Sequence, residues 1–203
     1  LTLLFIAQAN SIWALVAAII FFGVIHGGDD VAMNAWAAEV ERQDDRPLMS
    51  SFHAMWSLGA GIGAGTGVIT SFNHIAMPMH FTLTSIIIFL AMLPIITIPF
   101  KSEKRQNSSK ESFISFPKGA LLPVALITFF ASLGEGIVAD WSAIFLRSIA
   151  ELSNSSAALG FTVFSVCMFT MRLLGDKIAL KFGASMTARY SGLVALLGSI
   201  IVL

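Results

Sequence analysis

Residues Gly23–Arg42 read GVIHGGDDVAMNAWAAEVER and continue directly from IWALVAAIIFF at Ile12–Phe22, an uncharged apolar run. A stretch oily enough for lipid thus carries a histidine and two adjacent aspartates before it ends. An ionised carboxylate at bilayer depth costs about 2.5–3.5 kcal/mol on insertion scales, so it belongs on a face turned to a bundle interior or a wet cavity. The segment predicts a membrane helix with one working polar face.

Working outward, the composition agrees. Of 203 residues 56% are hydrophobic and 12% charged, and the 17 Phe outnumber the 12 Lys and Arg together, which is not the usage of a soluble domain. A hydrocarbon core of roughly 30 Å takes about 20 mostly apolar helical residues. Windows of that kind recur at 11–36, 51–72, 80–100, 119–147, 157–175 and 188–203, and LTLLFIA at the start reads as the tail of an earlier helix. The expected class is all-α, a polytopic transmembrane helix bundle with six full spans and part of a seventh. With no initiator Met, no signal-peptide core and an end inside an apolar run, the chain reads as a fragment.

Charge and cysteine usage exclude other classes. The net charge is zero, which gives nucleic acid no electrostatic footing. The single Cys167 lies within a span, so neither a disulfide framework nor a thiolate metal site is available, and no metal or cofactor is expected. The basic residues fall beside alternate connections: Arg42 and Arg46; Lys101, Lys104, Arg105, Lys110 and Lys118; Arg172, Lys177, Lys181 and Arg189. Only Arg147 lies on the other side. By the positive-inside rule those three connections are cytoplasmic. The longest, KSEKRQNSSKESFISFPKG from Lys101, reads as a flexible linker, giving divisions at 1–100, 101–118 and 119–203.

The acids within spans are concentrated on two segments, Asp29 and Asp30 on one, Glu135 and Asp140 on the other. At about 1.5 Å per residue, Asp30 lies roughly 28 Å from an outer end near Ser11, towards the cytoplasm. Glu135 and Asp140 lie roughly 25 and 33 Å from Lys118, towards the outside. Asp30 and Asn34 share a helix face one turn apart, and Asp29 points about 100° away. His26, one turn before them, suits proton handling or, as the plainer reading, a cavity-lining hydrogen bond. Gly134 and Gly136 flank Glu135 and weaken their helix, either as a working break or as an ordinary kink. Gly59, Gly63 and Gly67 recur at four-residue spacing, a packing signal.

DVAMNAWAAEVERQDDRPLMSSFHAMWSLG at 30–59, SLGEGIVADWSAIFLR at 132–147 and MRLLGDKIALKFG at 171–183 resemble the major facilitator superfamily, and within it the bacterial YbjJ-like group of transporters. The resemblance covers nearly the whole chain. It implies the end of helix 3 and helices 4 to 9 of a twelve-helix fold, with the Lys-rich stretch linking two six-helix bundles. Asp176, Lys177, Lys181 and Gly183 match the second copy of the family's cytoplasmic gating signature, while Arg172 stands where its common form has glycine. A local reading competes, because Arg172 and Asp176 are i,i+4 neighbours able to pair on a helix surface. Asp30 followed by Asn34 resembles fucose-permease-like symporters, whose helix-4 acid is implicated in proton coupling. The antiporter signature's proline is absent from the next helix, which disfavours drug antiport, and the helix-4 arginine of many members is also missing.

The resulting expectation is a proton-coupled secondary transporter, not an enzyme, moving a small solute by alternating access in the bacterial inner membrane as a monomer. Asp30 and His26 are the proton-coupling candidates. Asn34, His53, Trp56, Glu135, Asp140 and Trp141 are the candidates for solute contact, with a sugar favoured because Trp, carboxylate and amide groups suit hydroxyl-rich ligands. Arg172, Asp176, Lys177 and Lys181 are the gating candidates. The alternatives are an efflux transporter of the same superfamily, a seven-helix receptor, and an intramembrane enzyme using HGGDD as a metal site, which would need further ligands.

Overall fold

The computed structural model describes residues 2–44, 46–98 and 116–202, and these form helices and turns with no strand among them. The helices are α1 (Thr2–Ala7), α2 (Ile12–Asp44), α3 (Met49–Phe72), α4 (Met77–Ile96), α5 (Leu121–Ser148), α6 (Asn154–Phe182) and α7 (Ala184–Val202). They follow the expected six spans and one tail. Among the described residues, α2, α4, α5 and α7 are both long enough and apolar enough to cross a membrane. Residues 101–115 of the expected linker lie outside the described residues.

The helix ends have local causes. The expected span ends at 36, but α2 runs on to Asp44, because AWAAEVERQ consists mostly of good helix formers and nothing stops it before Pro47, which disfavours helical backbone at the residue before it. Pro78 sits in the first turn of α4, where its missing N–H costs nothing. Gly183, at φ +82°, donates its N–H to the Ala179 carbonyl at 2.8 Å and ends α6 in the left-handed conformation that glycine adopts freely. Extending through the polar end, α6 reaches seven residues beyond the expected 175.

The chain divides into two compact units. The first comprises 1–26 and 64–161. Here α1 packs on α4, Phe5 meets the edge of Phe21 with centroids 5.8 Å apart, and Thr66 Oγ1 lies 3.1 Å from His80 Nε2. Gly160 approaches α5 so closely that a Cβ there would stand 2.6 Å from Leu146.

The second unit comprises 27–63 and 162–203. Its centre is an antiparallel seam between the first part of α3 and the later part of α6. Ala54 is fully buried, as are Ser57 and Ser165 to within 2%, and a Cβ on Gly61 would stand 3.1 Å from that of Ser165. Among the described residues of each unit the buried ones are small, Ala18, Ala37, Ala54, Ala157 and three serines with Val68 the larger one, while most Phe, Ile and Leu are exposed. A soluble core is the reverse. Lipid supplies no drive to bury large apolar groups, so helices meet through small residues that let backbones approach.

Candidate functional site

The start of α3 is chemically incomplete. Its sequence is Pro47-Leu48-Met49-Ser50-Ser51, and the first bond within the helix runs from Phe52 N–H to the Leu48 carbonyl at 3.0 Å. The preceding N–H groups have no partner inside the helix, and Leu48 has no side chain able to cap them. Two carboxylates from elsewhere do so. Glu41 Oε2 accepts from the N–H groups of Leu48 at 3.0 Å and Met49 at 2.7 Å. Asp176 Oδ2, on α6, accepts from the Ser51 N–H at 3.2 Å and from the Ser51 hydroxyl at 3.1 Å. Negative charge also suits the positive end of the α3 dipole.

The contact extends along the seam. Ser50 Oγ donates to the Arg172 carbonyl at 2.5 Å. Arg172 Nη1 donates to Ser57 Oγ at 2.7 Å and lies 3.4 Å from the His53 carbonyl, and its guanidinium sits 5.4 Å from the centre of the Trp56 ring, within cation–π range. Arg172 and Asp176 thus both reach across to α3, which the local i,i+4 pair did not anticipate. Gly175 makes the approach possible, for a Cβ there would stand 2.5 Å from Ser50 Oγ. Lys177 and Lys181 are exposed, and Lys181 Nζ lies 5.3 Å from the ring of its neighbour Phe182.

On α2, Asn34 Nδ2 donates to Asp30 Oδ1 at 3.2 Å and to the Asp30 carbonyl at 2.9 Å, so the expected shared face is realised as a bonded pair. His26 stacks on Phe22 with centroids 5.5 Å apart. Both aspartates are exposed. On α5, Glu135 is half-buried, Asp140 and Trp141 are exposed, and the helix runs unbroken through Gly134 and Gly136. The candidates divide between the units: Asp30, Asn34, His53, Trp56, Arg172, Asp176, Lys177 and Lys181 in the second, His26, Glu135, Asp140 and Trp141 in the first. A mostly apolar cavity of about 840 Å³ in the first unit, lined by Leu4, Phe5, Gln8, Ala14 and Phe21 among others, contains none of them. Among the described residues no three His, Cys, Asp or Glu side chains gather as for a metal.

Sequence reasoning missed Glu41, Ser50, Ser51 and Ser57. One signal was available: a helix starting behind Leu48 without a Ser, Thr, Asp or Asn cap needs its acceptors from outside.

The family model for the Major Facilitator Superfamily matches residues 1–203. The chain belongs to this superfamily. It is 39% identical over 194 residues to an uncharacterised transporter of Sinorhizobium fredii, covering 96% of this chain and 52% of the relative. It is 30% identical over 192 residues to an uncharacterised transporter of the same superfamily type from Yersinia pestis, covering 95% and 50%. A third relative, the membrane protein MosC of Rhizobium meliloti, is 24% identical over 197 residues, covering 97% and 47%. The chain spans about half the length of these curated relatives. No solved structure matches it.

Proposed function

We propose that this superfamily member is part of a secondary transporter that moves a small solute across the bacterial inner membrane by alternating access, with the α3–α6 contact as a clasp on the cytoplasmic side. Membership of the family and two relatives named as transporters support the class. The observation that carries the mechanism is the Asp176 carboxylate bound to Ser51, beside Arg172 bound to Ser57 and lying over Trp56. In this reading 1–100 belongs to one bundle of helices, 119–203 to the other and 101–118 links them, so α3 and α6 come from opposite bundles and the clasp joins the two. The segments correspond to the end of helix 3 through helix 9 of the family, in its YbjJ-like group.

The energetics suit a gate. Hydrogen bonds to charged groups contribute about 1.5–3 kcal/mol, enough to bias a two-state equilibrium tenfold or more and small enough to be overturned by a ligand's differential affinity. Coupling is assigned to Asp30, with His26 one turn away: neutral and charged Asp30 favour different bundle arrangements. Asn34, His53, Trp56, Glu135, Asp140 and Trp141 contact the solute, with a sugar favoured. Lys177 and Lys181 extend the gate, and the protein works as a monomer.

A thermal-shift panel of sugars and other small metabolites on the full-length protein identifies the solute, which is then offered to vesicles with and without a pH gradient. The reading expects accumulation only with the gradient. Stabilising solutes that never cross the membrane would contradict it.

A further inference from the structure

The first turn of α3 offers a row of unpaired N–H groups, and two acids share it. Glu41 is half-buried at the end of α2 and holds the groups of Leu48 and Met49, whereas Asp176 meets the fourth N–H of the row, that of Ser51. Electrostatics alone would not choose that arrangement, because the positive end of a helix dipole is strongest at its outermost N–H groups. A free carboxylate approaching from α6 would be drawn to Leu48 and Met49. Glu41 already fills those positions and repels a second negative charge there.

We propose that Glu41 is a positioning residue of the clasp: by occupying the two outermost N–H groups at the start of α3, those of Leu48 and Met49, it leaves Asp176 the inner ones, where it meets both the N–H and the hydroxyl of Ser51. In that register Ser50 Oγ also reaches the Arg172 carbonyl and Arg172 reaches Ser57, so the whole seam depends on which N–H groups remain open. Glu41 lies on the same polypeptide segment as α3, only a few residues before it. It therefore stays in place when α6 moves away, and the same register is offered on each return. The inference rests on reading the α3–α6 contact as a clasp.

Residue-resolved amide exchange on the full-length protein in lipid discs tests it with Glu41→Ala, Glu41→Gln and Asp176→Ala. In Glu41→Ala, Asp176 slides outward and Ser51 exchanges roughly tenfold faster, an effect in the range of a lost helix cap, although the hydrogen bonds of Glu41 go to Leu48 and Met49. In Glu41→Gln the amide oxygen still accepts from Leu48 and Met49, and Ser51 stays within about twofold of the parent, since occupancy survives without charge. Faster exchange confined to Leu48 and Met49 in Glu41→Ala would make Glu41 a plain cap and overturn the proposal. Equal loss of Ser51 protection in Gln and Ala variants would overturn it too. The clasp fails separately, if Asp176→Ala leaves Ser51 as protected as before.

Discussion

Asp29 and Asp30 are adjacent in sequence and about 100° apart around α2, and only Asp30 is tied to Asn34. Neutralising them should therefore have unequal effects. Asp30→Asn keeps size and hydrogen bonding but removes the titration, so gradient-driven accumulation should fall to background while solute counterflow survives; Asp29→Asn should be milder in both assays. Intact accumulation in Asp30→Asn would remove the coupling role, and loss of folded protein in both variants would return the pair to structure, because an acid held in a helix-to-helix pair leaves its partner unmatched. Asp30 with Asn34 was legible in the sequence because their relation is local, set by one helical turn. Ser51 was not, since its partner lies 125 positions away and a small hydroxyl residue has no pattern that points across such a distance.

At the scale of elements the helices were legible because a bilayer demands long apolar runs, and that same reasoning shortened α2. Apolarity reports where lipid ends, and AWAAEVERQ continues as helix past that point on propensity alone. The seam between α3 and α6 was not legible from the glycine periodicity of α3: a Cβ on Gly59 or Gly63 would meet nothing within 4 Å and one on Gly67 only His80 at 3.9 Å, while the close approaches are at Gly61, outside that spacing, and at Gly175, inside a charged signature. The two kinds of glycine should behave oppositely. Gly175→Ala drives a methyl into Ser50 Oγ and, by analogy with other overpacked contacts, should cost about 1–3 kcal/mol. Gly136→Ala meets nothing within 4 Å and should be neutral or stabilising by up to about 1 kcal/mol, through helix propensity. Melting of the two purified variants in one detergent checks this. Equal melting points would mean that the close approach at Gly175 carries no energy.

For the whole molecule, the outward-facing Phe, Ile and Leu and the small buried residues fit helices solvated by lipid and held together by close backbone contact. Such contacts are individually weak, so a few charge-assisted bonds can decide which arrangement dominates. Ala54 is a built-in probe of that decision: it is fully buried and lies on α3 one turn from both the Ser50–Ser51 end and Ser57, within the seam. The most direct measurement is the rate at which a membrane-impermeant thiol reagent labels Ala54→Cys, in a Cys167→Ser background, on the cytoplasmic face of vesicles holding the full-length protein. Adding Asp176→Ala should raise that rate roughly tenfold or more, in line with losing charge-assisted bonds of about 1.5–3 kcal/mol, with folded yield unchanged. An unchanged rate, or labelling only from the opposite face, would contradict the clasp as the cytoplasmic gate.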